Sequence, residues 1–182
     1  MKVLSEWVVR RLGWSFVGAL PDDPKLVIIG APHTSNWDFF LFLAALNHFD
    51  LKVRFMIKDG LMKWPASWFF RRLGAIPVDV TSSHGLVEAA VSAFNTSERM
   101  VLVLSPEGTR SRVDGWKSGF WRIADTADVP VVMSFIDGAT KTLGFGPAMR
   151  IDGDPEVWMD VAREFYSDKA GVKPEEVSPV QL

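Results

Sequence analysis

Two short polar clusters contain the side chains that could do chemistry in this sequence. The first spans residues 33–38 and reads HTSNWD, so that a carboxylate follows a histidine at the fifth position. If the loop folds back, Asp38 can accept a hydrogen bond from one ring nitrogen of His33 and leave the other as a general base. Imidazole has an ordinary pKa of about 6.5, which suits proton abstraction near neutral pH. The spacing is equally compatible with Asp38 acting only as a favourable acid at a helix N-terminus.

The second cluster spans residues 105–112 and reads SPEGTRSR. It combines a carboxylate, a glycine that permits close approach, hydroxyl groups and the guanidinium groups of Arg110 and Arg112. Arginine binds phosphate through paired N–H donors, which makes this loop a candidate anion site. An ordinary polar loop could have the same composition, so the cluster alone does not identify a ligand.

Several classes of site are excluded or disfavoured. The chain has no cysteine, which removes disulfides, thiolate catalysis and zinc–cysteine sites. It has no G-x-S-x-G motif, P-loop or dinucleotide-binding glycine fingerprint. His48 and His84 have no carboxylate at a matching spacing and are expected to be structural or surface residues. We therefore expect no metal site.

Apolar runs typical of buried strands precede both clusters, at residues 26–31 and 100–104. Strands alternate with helical patterns along the chain, which predicts an α/β fold with a mainly parallel central sheet flanked by helices. Ligands of such sheets bind beyond the carboxyl ends of the strands, where both clusters fall. The other predicted strands are 53–57, 75–78, 130–135, 140–145 and 148–151, and the predicted helices are 3–12, 36–48, 65–73, 83–96, 118–126 and one that begins after Asp154.

Length and composition fit one globular domain. The chain has 182 residues, 48% hydrophobic and 23% charged. We expect an amphipathic helical region in residues 1–25, a catalytic core in 26–152, and a C-terminal helix and tail in 153–182. The tail from Gly171 is rich in proline and glutamate and is expected to be loosely held. The longest apolar run has eight residues, too few for a transmembrane helix, and the start does not resemble a signal peptide.

Charge and tryptophan are distributed unevenly. Residues 1–72 carry a net charge of +4 and residues 151–182 a net charge of −5, while the whole chain has −2. The pI near 5.9 argues against nucleic acid as a partner. Eight tryptophans are many for a domain of this size, and five lie in the basic first part. Tryptophan with Lys and Arg suits an anionic membrane surface, although a tryptophan-rich core and a solvated basic face are the alternatives.

Taken together, the two clusters resemble the glycerolipid acyltransferases, the superfamily of lysophosphatidate and glycerol-3-phosphate acyltransferases and tafazzin. The family signature is a histidine and an aspartate separated by four residues, here His33 and Asp38, followed by E-G-T-R, here residues 107–110. Residues 74–79 (GAIPVD) and 129–132 (VPVV) resemble the family's middle and fourth blocks. The resemblance covers about residues 26–135.

The resemblance implies a mechanism and a set of site residues. His33 would remove the proton of an acceptor hydroxyl, Asp38 would orient His33, and the hydroxyl would attack the thioester of acyl-CoA or acyl carrier protein directly. No cofactor is implied. The implied acceptor is a lysophospholipid, most simply 1-acyl-glycerol-3-phosphate, and the product is phosphatidic acid. The resemblance implies that Glu107, Gly108 and Arg110 bind the acceptor, with Arg110 on its phosphate. We expect Thr109, Arg112 and Lys117 to contribute to substrate binding as well.

The sequence departs from the family pattern at two places. Val80 stands where many relatives have an arginine that contacts the acceptor phosphate, and Met133-Ser134 replace a second proline of the fourth block. Two alternatives therefore stay open. Either Arg71, Arg72, Arg112 or Lys117 binds the phosphate, or the acceptor lacks it, as another lyso-lipid or a glycolipid would. A lipid-binding protein without turnover and a thioester hydrolase are further alternatives.

An enzyme with a bilayer substrate and no spanning helix must reach the membrane with its surface. We therefore expect a peripheral protein on the cytoplasmic face of the membrane. The expected membrane-facing residues are Trp7, Arg10, Arg11, Trp64, Trp68, Arg71 and Arg72.

Overall fold

The computed structural model describes residues 7, 9–58, 60, 62–64, 66–72, 74–78 and 83–182. The strands are β1 (Ser15–Val17), β2 (Lys25–Gly30), β3 (Val53–Lys58), β4 (Ala75–Val78), β5 (Met100–Leu104), β6 (Val131–Asp137) and β7 (Thr142–Met149). The helices with described bounds are α1 (Trp37–His48), α2 (Ala66–Arg72), α3 (Ser83–Thr96), α4 (Gly119–Ala127) and α5 (Pro155–Tyr166). The predictions for 75–78, 83–96 and 100–104 are confirmed residue for residue. Of the predicted helix 3–12, residues 7 and 9–11 are helical, and 1–6 and 8 lie outside the described residues.

One mainly parallel sheet organises the chain, as predicted. Its strand order is β1-β7-β6-β2-β5-β3-β4. Five neighbouring strands, from β6 to β4, run parallel, while β7 is antiparallel to β6 and β1 is parallel to β7. The carboxyl ends of β2 and β5, which precede the two polar clusters, are adjacent because these strands pair directly. We call this side of the sheet the carboxyl edge.

The core lies on both faces of the sheet, which is why the strand sequences are continuously apolar. Along β2, Val27 and Ile29 face the larger cluster, and Leu26 and Ile28 face the smaller one. Helices α3, α4 and α5 cover the larger cluster with residues such as Phe94, Phe120, Ile123, Trp158 and Met159, all buried. On α1, Phe42 contacts Phe55 and the neighbouring Phe49 contacts Phe145, with ring centroids 6.0 and 4.8 Å apart.

Two strand predictions need correction. Residues 140–145 and 148–151 are not separate strands, because β7 continues through Gly146-Pro147 with a bulge opposite Met133. A Cβ at Gly146 would lie 2.1 Å from the Phe165 ring, so glycine is needed where α5 packs closely. The second correction is β1, a three-residue strand between Gly13 and Gly18 that was not predicted; it is too short for an apolar pattern to reveal.

The prediction of a loosely held tail from Gly171 is wrong. This segment contains a 3₁₀ turn at Pro174–Glu176, and Gly171 and Ser178 are buried. Its backbone accepts hydrogen bonds from Trp116 N at 2.6 Å and from Arg163 Nε at 3.1 Å. Proline and glutamate content therefore did not predict mobility here, because the backbone groups find partners on the folded core. Within the described part of the chain, no helix combines the length and apolarity that a bilayer span requires.

Candidate active site

The loop between β2 and α1 brings His33 and Asp38 together. Asp38 lies in the first turn of α1 and is 4% exposed. Its Oδ2 accepts three hydrogen bonds: from Thr34 N at 2.8 Å, from Ser35 N at 2.9 Å and from His33 Nδ1 at 3.0 Å. The carboxylate therefore closes the loop and also orients the imidazole. Asp38 is both an acid in the first turn of α1 and the partner of His33, so the two interpretations of the spacing are compatible.

This hydrogen bond determines what the ring of His33 can do. An ionised carboxylate only accepts, so Nδ1 carries the proton and Nε2 is left with a lone pair. The His33 side chain is 33% exposed, which lets a substrate reach the ring. The pair is the arrangement of a general base with its orienting acid.

Glu107 ties the second loop to the first. It follows β5, is 2% exposed, and its Oε2 accepts a hydrogen bond from the backbone N–H of His33 at 2.6 Å. Burial raises the pKa of the Glu107 carboxyl, and the contacts with His33 and Ser178 oppose that rise. Within this structure Glu107 therefore holds the histidine main chain, while its predicted contact with substrate stays a prediction.

Other members of the predicted binding set lie on the surface around this junction. Arg110 is exposed, and its Nη1 donates to Oδ1 of Asn36, which places a guanidinium beside the histidine loop. Gly108 has a positive φ of 69°, and a Cβ there would lie 2.8 Å from Lys117 Nζ, so the ammonium packs against the glycine. Thr109 Oγ1 accepts from the backbone N–H of Ser111 at 3.3 Å.

Arg112 differs from Arg110 in its surroundings. Its Nη1 donates to the Val177 carbonyl at 2.7 Å, and its backbone N–H donates to Glu176 Oε2 at 2.9 Å. The structure therefore joins Arg112 to the chain beyond α5, while Arg110 lies beside Asn36 of the histidine loop and Lys117 lies beside Gly108.

Exposed tryptophans concentrate in the basic first part of the chain. Trp7, Trp37, Trp64 and Trp68 are 59 to 87% exposed, whereas Trp116 and Trp158 are buried. Two of the exposed rings lie under guanidinium groups, Trp7 with Arg11 at 6.0 Å and Trp68 with Arg72 at 5.9 Å. Arg10 and Arg71 are exposed as well. Both predicted alternatives are therefore present, because the exposed tryptophans lie in the first part of the sequence and the buried ones in the second.

Trp37, one of the five tryptophans of the basic first part, was not among the expected membrane-facing residues. Trp37 and Phe40 are one helical turn apart, 64% and 61% exposed, and their ring centroids are 5.6 Å apart. Aromatic contacts continue from Phe40 through Phe39 to Phe70 on α2. The signal was available, because Trp37 and Phe40 alternate on α1 with the buried residues Asp38, Leu41 and Ala44.

Comparisons with known proteins agree with the geometry. A family model described as Acyltransferase matches residues 16–135, well over half of the chain. The crystal structure of the 1-acyl-sn-glycerophosphate (LPA) acyltransferase PlsC from Thermotoga maritima superimposes with a TM-score of 0.64 at 20% identity, covering 90% of this chain and 74% of that one. At that identity the similarity establishes a shared fold. No curated protein matches the sequence significantly. Because the matched region contains His33, Asp38 and residues 107–110, the resemblance is confirmed, and the chain belongs to the acyltransferase family.

Proposed function

We propose that this protein transfers a fatty acyl group from acyl-CoA or acyl carrier protein to the hydroxyl of a lysophospholipid. The proposed acceptor is 1-acyl-glycerol-3-phosphate and the product phosphatidic acid. The observation that supports this most directly is the hydrogen bond of 3.0 Å between His33 Nδ1 and buried Asp38, with a partly exposed ring near the exposed guanidinium of Arg110.

The chemical step needs one base and no acyl-enzyme. Nε2 of His33 takes the proton of the acceptor hydroxyl as its oxygen attacks the thioester carbonyl. The new C–O bond forms, the C–S bond breaks, and the imidazolium returns its proton to the leaving thiolate. The adjacent Asp38 carboxylate stabilises the imidazolium in between. The proton passes from the acceptor hydroxyl to His33 and then to the leaving thiolate, so the proposed step includes no cofactor.

Arg110 and Lys117 would bind the acceptor phosphate. Arg110 is fixed by Asn36 close to the start of α1, and Lys117 lies against Gly108 in the same loop. Paired guanidinium donors match phosphate oxygens, which makes Arg110 the stronger contributor. Residue 80, where many relatives have an arginine, lies outside the described residues.

The proposed enzyme would dock on an anionic bilayer with the carboxyl edge of its sheet. Trp37 follows β2 and Trp64 follows β3, so both lie at that edge, as does the His33 loop. The helix that contains Trp7 ends beside the same edge, because Lys141 Nζ, in the turn after β6, donates to Leu12 O at 3.2 Å. Aromatic rings and guanidinium groups at one edge suit the interface of an anionic membrane. This supports a peripheral location on the cytoplasmic face, with the acceptor reaching His33 from the bilayer.

An acceptor panel tests the reaction. Labelled acyl-CoA is offered with lysophosphatidate, lysophospholipids that carry larger headgroups, a lyso-aminolipid and a glycolipid. We expect transfer to lysophosphatidate and a loss of about 10²-fold or more in His33→Ala. His48→Gln is the matched control, since His48 is the last residue of α1, the helix that follows the His33 loop, and its ring is stacked on Phe16. Full activity in His33→Ala would reject the mechanism. A preference for an acceptor without phosphate would reject lysophosphatidate as the acceptor. Water as the only acceptor identifies a hydrolase.

Vesicle co-sedimentation tests the docking surface. Replacing Trp64 and Trp68 by alanine removes two of the most exposed rings, and we expect at least tenfold weaker binding to vesicles that contain anionic lipid. Added salt should also weaken vesicle binding by the wild-type protein, because salt screens the charges of Arg71 and Arg72. Val157→Ala, an exposed apolar position on α5, is the control. Unchanged binding of the double variant rejects this surface.

A further inference from the structure

A segment beyond α5 contacts the candidate site. It consists of residues 171–182 and lies outside the region that the family model matches. The backbone N–H groups of Val172 and Lys173 donate to Thr34 Oγ1 at 3.1 and 3.0 Å. Thr34 is 2% exposed, and its own N–H is one of the three donors to Asp38. A Cβ at Gly171 would lie 2.9 Å from Thr34 Oγ1, which shows how closely the two segments approach. One residue of the histidine loop is therefore held between Asp38 and the segment 171–182.

The same segment holds the second loop over a longer stretch. Val113 N donates to Ser178 Oγ at 3.2 Å, and Trp116 N donates to Gln181 O at 2.6 Å. In the opposite direction, Gln181 Nε2 donates to Asp114 O at 2.6 Å. Together with the two bonds of Arg112, these contacts fix the backbone from residue 112 to residue 116.

Glu107 connects the two contact regions. Its carboxylate accepts from His33 N at 2.6 Å, and the loop that contains Glu107 is held by Ser178, whose Oγ accepts from Val113 N at 3.2 Å. Ser178 is 5% exposed. Residues 171–182 are therefore linked to the backbone of the candidate base through Ser178, the loop 107–113 and Glu107.

We propose that residues 171–182 are a positioning element of the active site. Through their bonds to Thr34 and through Ser178, they hold the His33–Asp38 pair in its reactive geometry without touching substrate. The kinetic consequence rests on the proposed transferase function. Reacting groups must be held within a fraction of an ångström, and a displacement of about 1 Å can cost about 10²-fold in rate. A buried loop held by only a few hydrogen bonds is sensitive to the loss of any one of them.

A pair of substitutions at one position tests the proposal. Thr34→Val keeps the shape but removes the acceptor of Val172 and Lys173, whereas Thr34→Ser keeps the hydroxyl. Ser178→Ala removes the hydroxyl that accepts from Val113 N. Ser167→Ala is its control, because among the described residues the Ser167 hydroxyl bonds within its own turn, to Glu164 O at 2.7 Å. Folding of each variant is followed by thermal melting.

Two readouts separate positioning from general stability. The first uses no substrate: ¹⁵N NMR of the His33 ring reports the tautomer, and hydrogen exchange of the His33 amide reports its bond to Glu107. In Thr34→Val we expect loss of the single Nδ1–H tautomer, and in Ser178→Ala about tenfold faster amide exchange. The second readout is kinetic, with kcat about tenfold lower in both and KM for either substrate within twofold.

Thr34→Ser and Ser167→Ala should match the wild-type protein in both readouts. Wild-type ring shifts and amide protection in folded Thr34→Val and Ser178→Ala would overturn the proposal. A raised KM at unchanged kcat would also overturn it, because it would indicate substrate contact. If the wild-type chain transfers no acyl group, the proposed function fails, while the NMR readout still decides whether residues 171–182 position His33.

Discussion

The most direct prediction concerns the charge of Asp38. In Asp38→Asn, one amide oxygen can still accept from His33 Nδ1, Thr34 N and Ser35 N, because all three bonds converge on the single atom Oδ2. The loop therefore keeps its geometry while the negative charge disappears. The new NH₂ group replaces Oδ1, a buried atom that has no hydrogen-bond partner in the described part of the chain.

The size of the effect follows from the distance. During transfer an imidazolium forms 3.0 Å from the carboxylate oxygen. Two unit charges with centres about 4 Å apart interact by about 4 kcal/mol at an effective dielectric constant of about 20. That corresponds to about 10³-fold in rate at about 1.4 kcal/mol per decade. His33 is one third exposed, and solvent screening brings the expected loss of kcat to between about 10² and 10³-fold.

The assay is transfer of labelled acyl groups at saturating lysophosphatidate, well below the melting temperature. The unsatisfied NH₂ group should itself cost about 1–3 kcal/mol of stability, so thermal melts accompany the kinetics. Asp137→Asn is the matched control, a buried carboxylate whose hydrogen bonds go to residues 139, 140 and 170. A folded Asp38→Asn variant with less than threefold loss of kcat would refute the assignment of Asp38 as the orienting acid.

Three further predictions concern pH, the acceptor and the core. Burial raises the pKa of Glu107 above 4.5. Between the pKa of the unfolded chain and that of the native chain, the native carboxyl keeps a proton that the unfolded one releases, so the stability of the protein falls as pH rises through this range. The melting temperature of Glu107→Gln relative to wild type should therefore increase with pH above about 4.5, and a constant difference would contradict this. Arg110→Ala should raise KM for lysophosphatidate about tenfold or more and leave KM for acyl-CoA unchanged, and equal effects on both substrates would argue against phosphate binding. Phe94→Ala, at a position 1% exposed, should cost about 3–5 kcal/mol in chemical denaturation, and a cost under about 1 kcal/mol would contradict its place in the core.

The strands and helices that the sequence predicted well are those with strong local patterns. The strand 100–104 and the helix 83–96 have the predicted bounds, since an apolar run buried on both faces and an amphipathic period are visible within a short window. By contrast, β1 exists only because β7, more than a hundred residues later, pairs with it. Local patterns do not contain that information.

The candidate site divides in the same way. The spacing of His33 and Asp38 was readable because the two residues lie within one loop. The bond from His33 N to Glu107 spans 74 residues and requires β2 and β5 to be neighbours, which the order of strands along the chain did not specify. The packing of residues 171–182 was missed for the same reason. Their proline and glutamate content is a local property, whereas the residues that they contact, such as Thr34, are distant in the sequence.

The long sequence separations within the site also set the order in which it can be completed during synthesis. The His33–Asp38 pair forms within one loop and can close soon after residue 38 emerges from the ribosome. Its contact with Glu107 waits for 74 further residues of the chain, and the bonds from Val172 and Lys173 to Thr34 span 138 and 139 residues. A nascent chain that does not yet include residues 171–182 therefore contains the base and its acid but lacks the contacts that hold them. Under the proposed function, full acyl transfer would then require residues 171–182 to have folded onto the site.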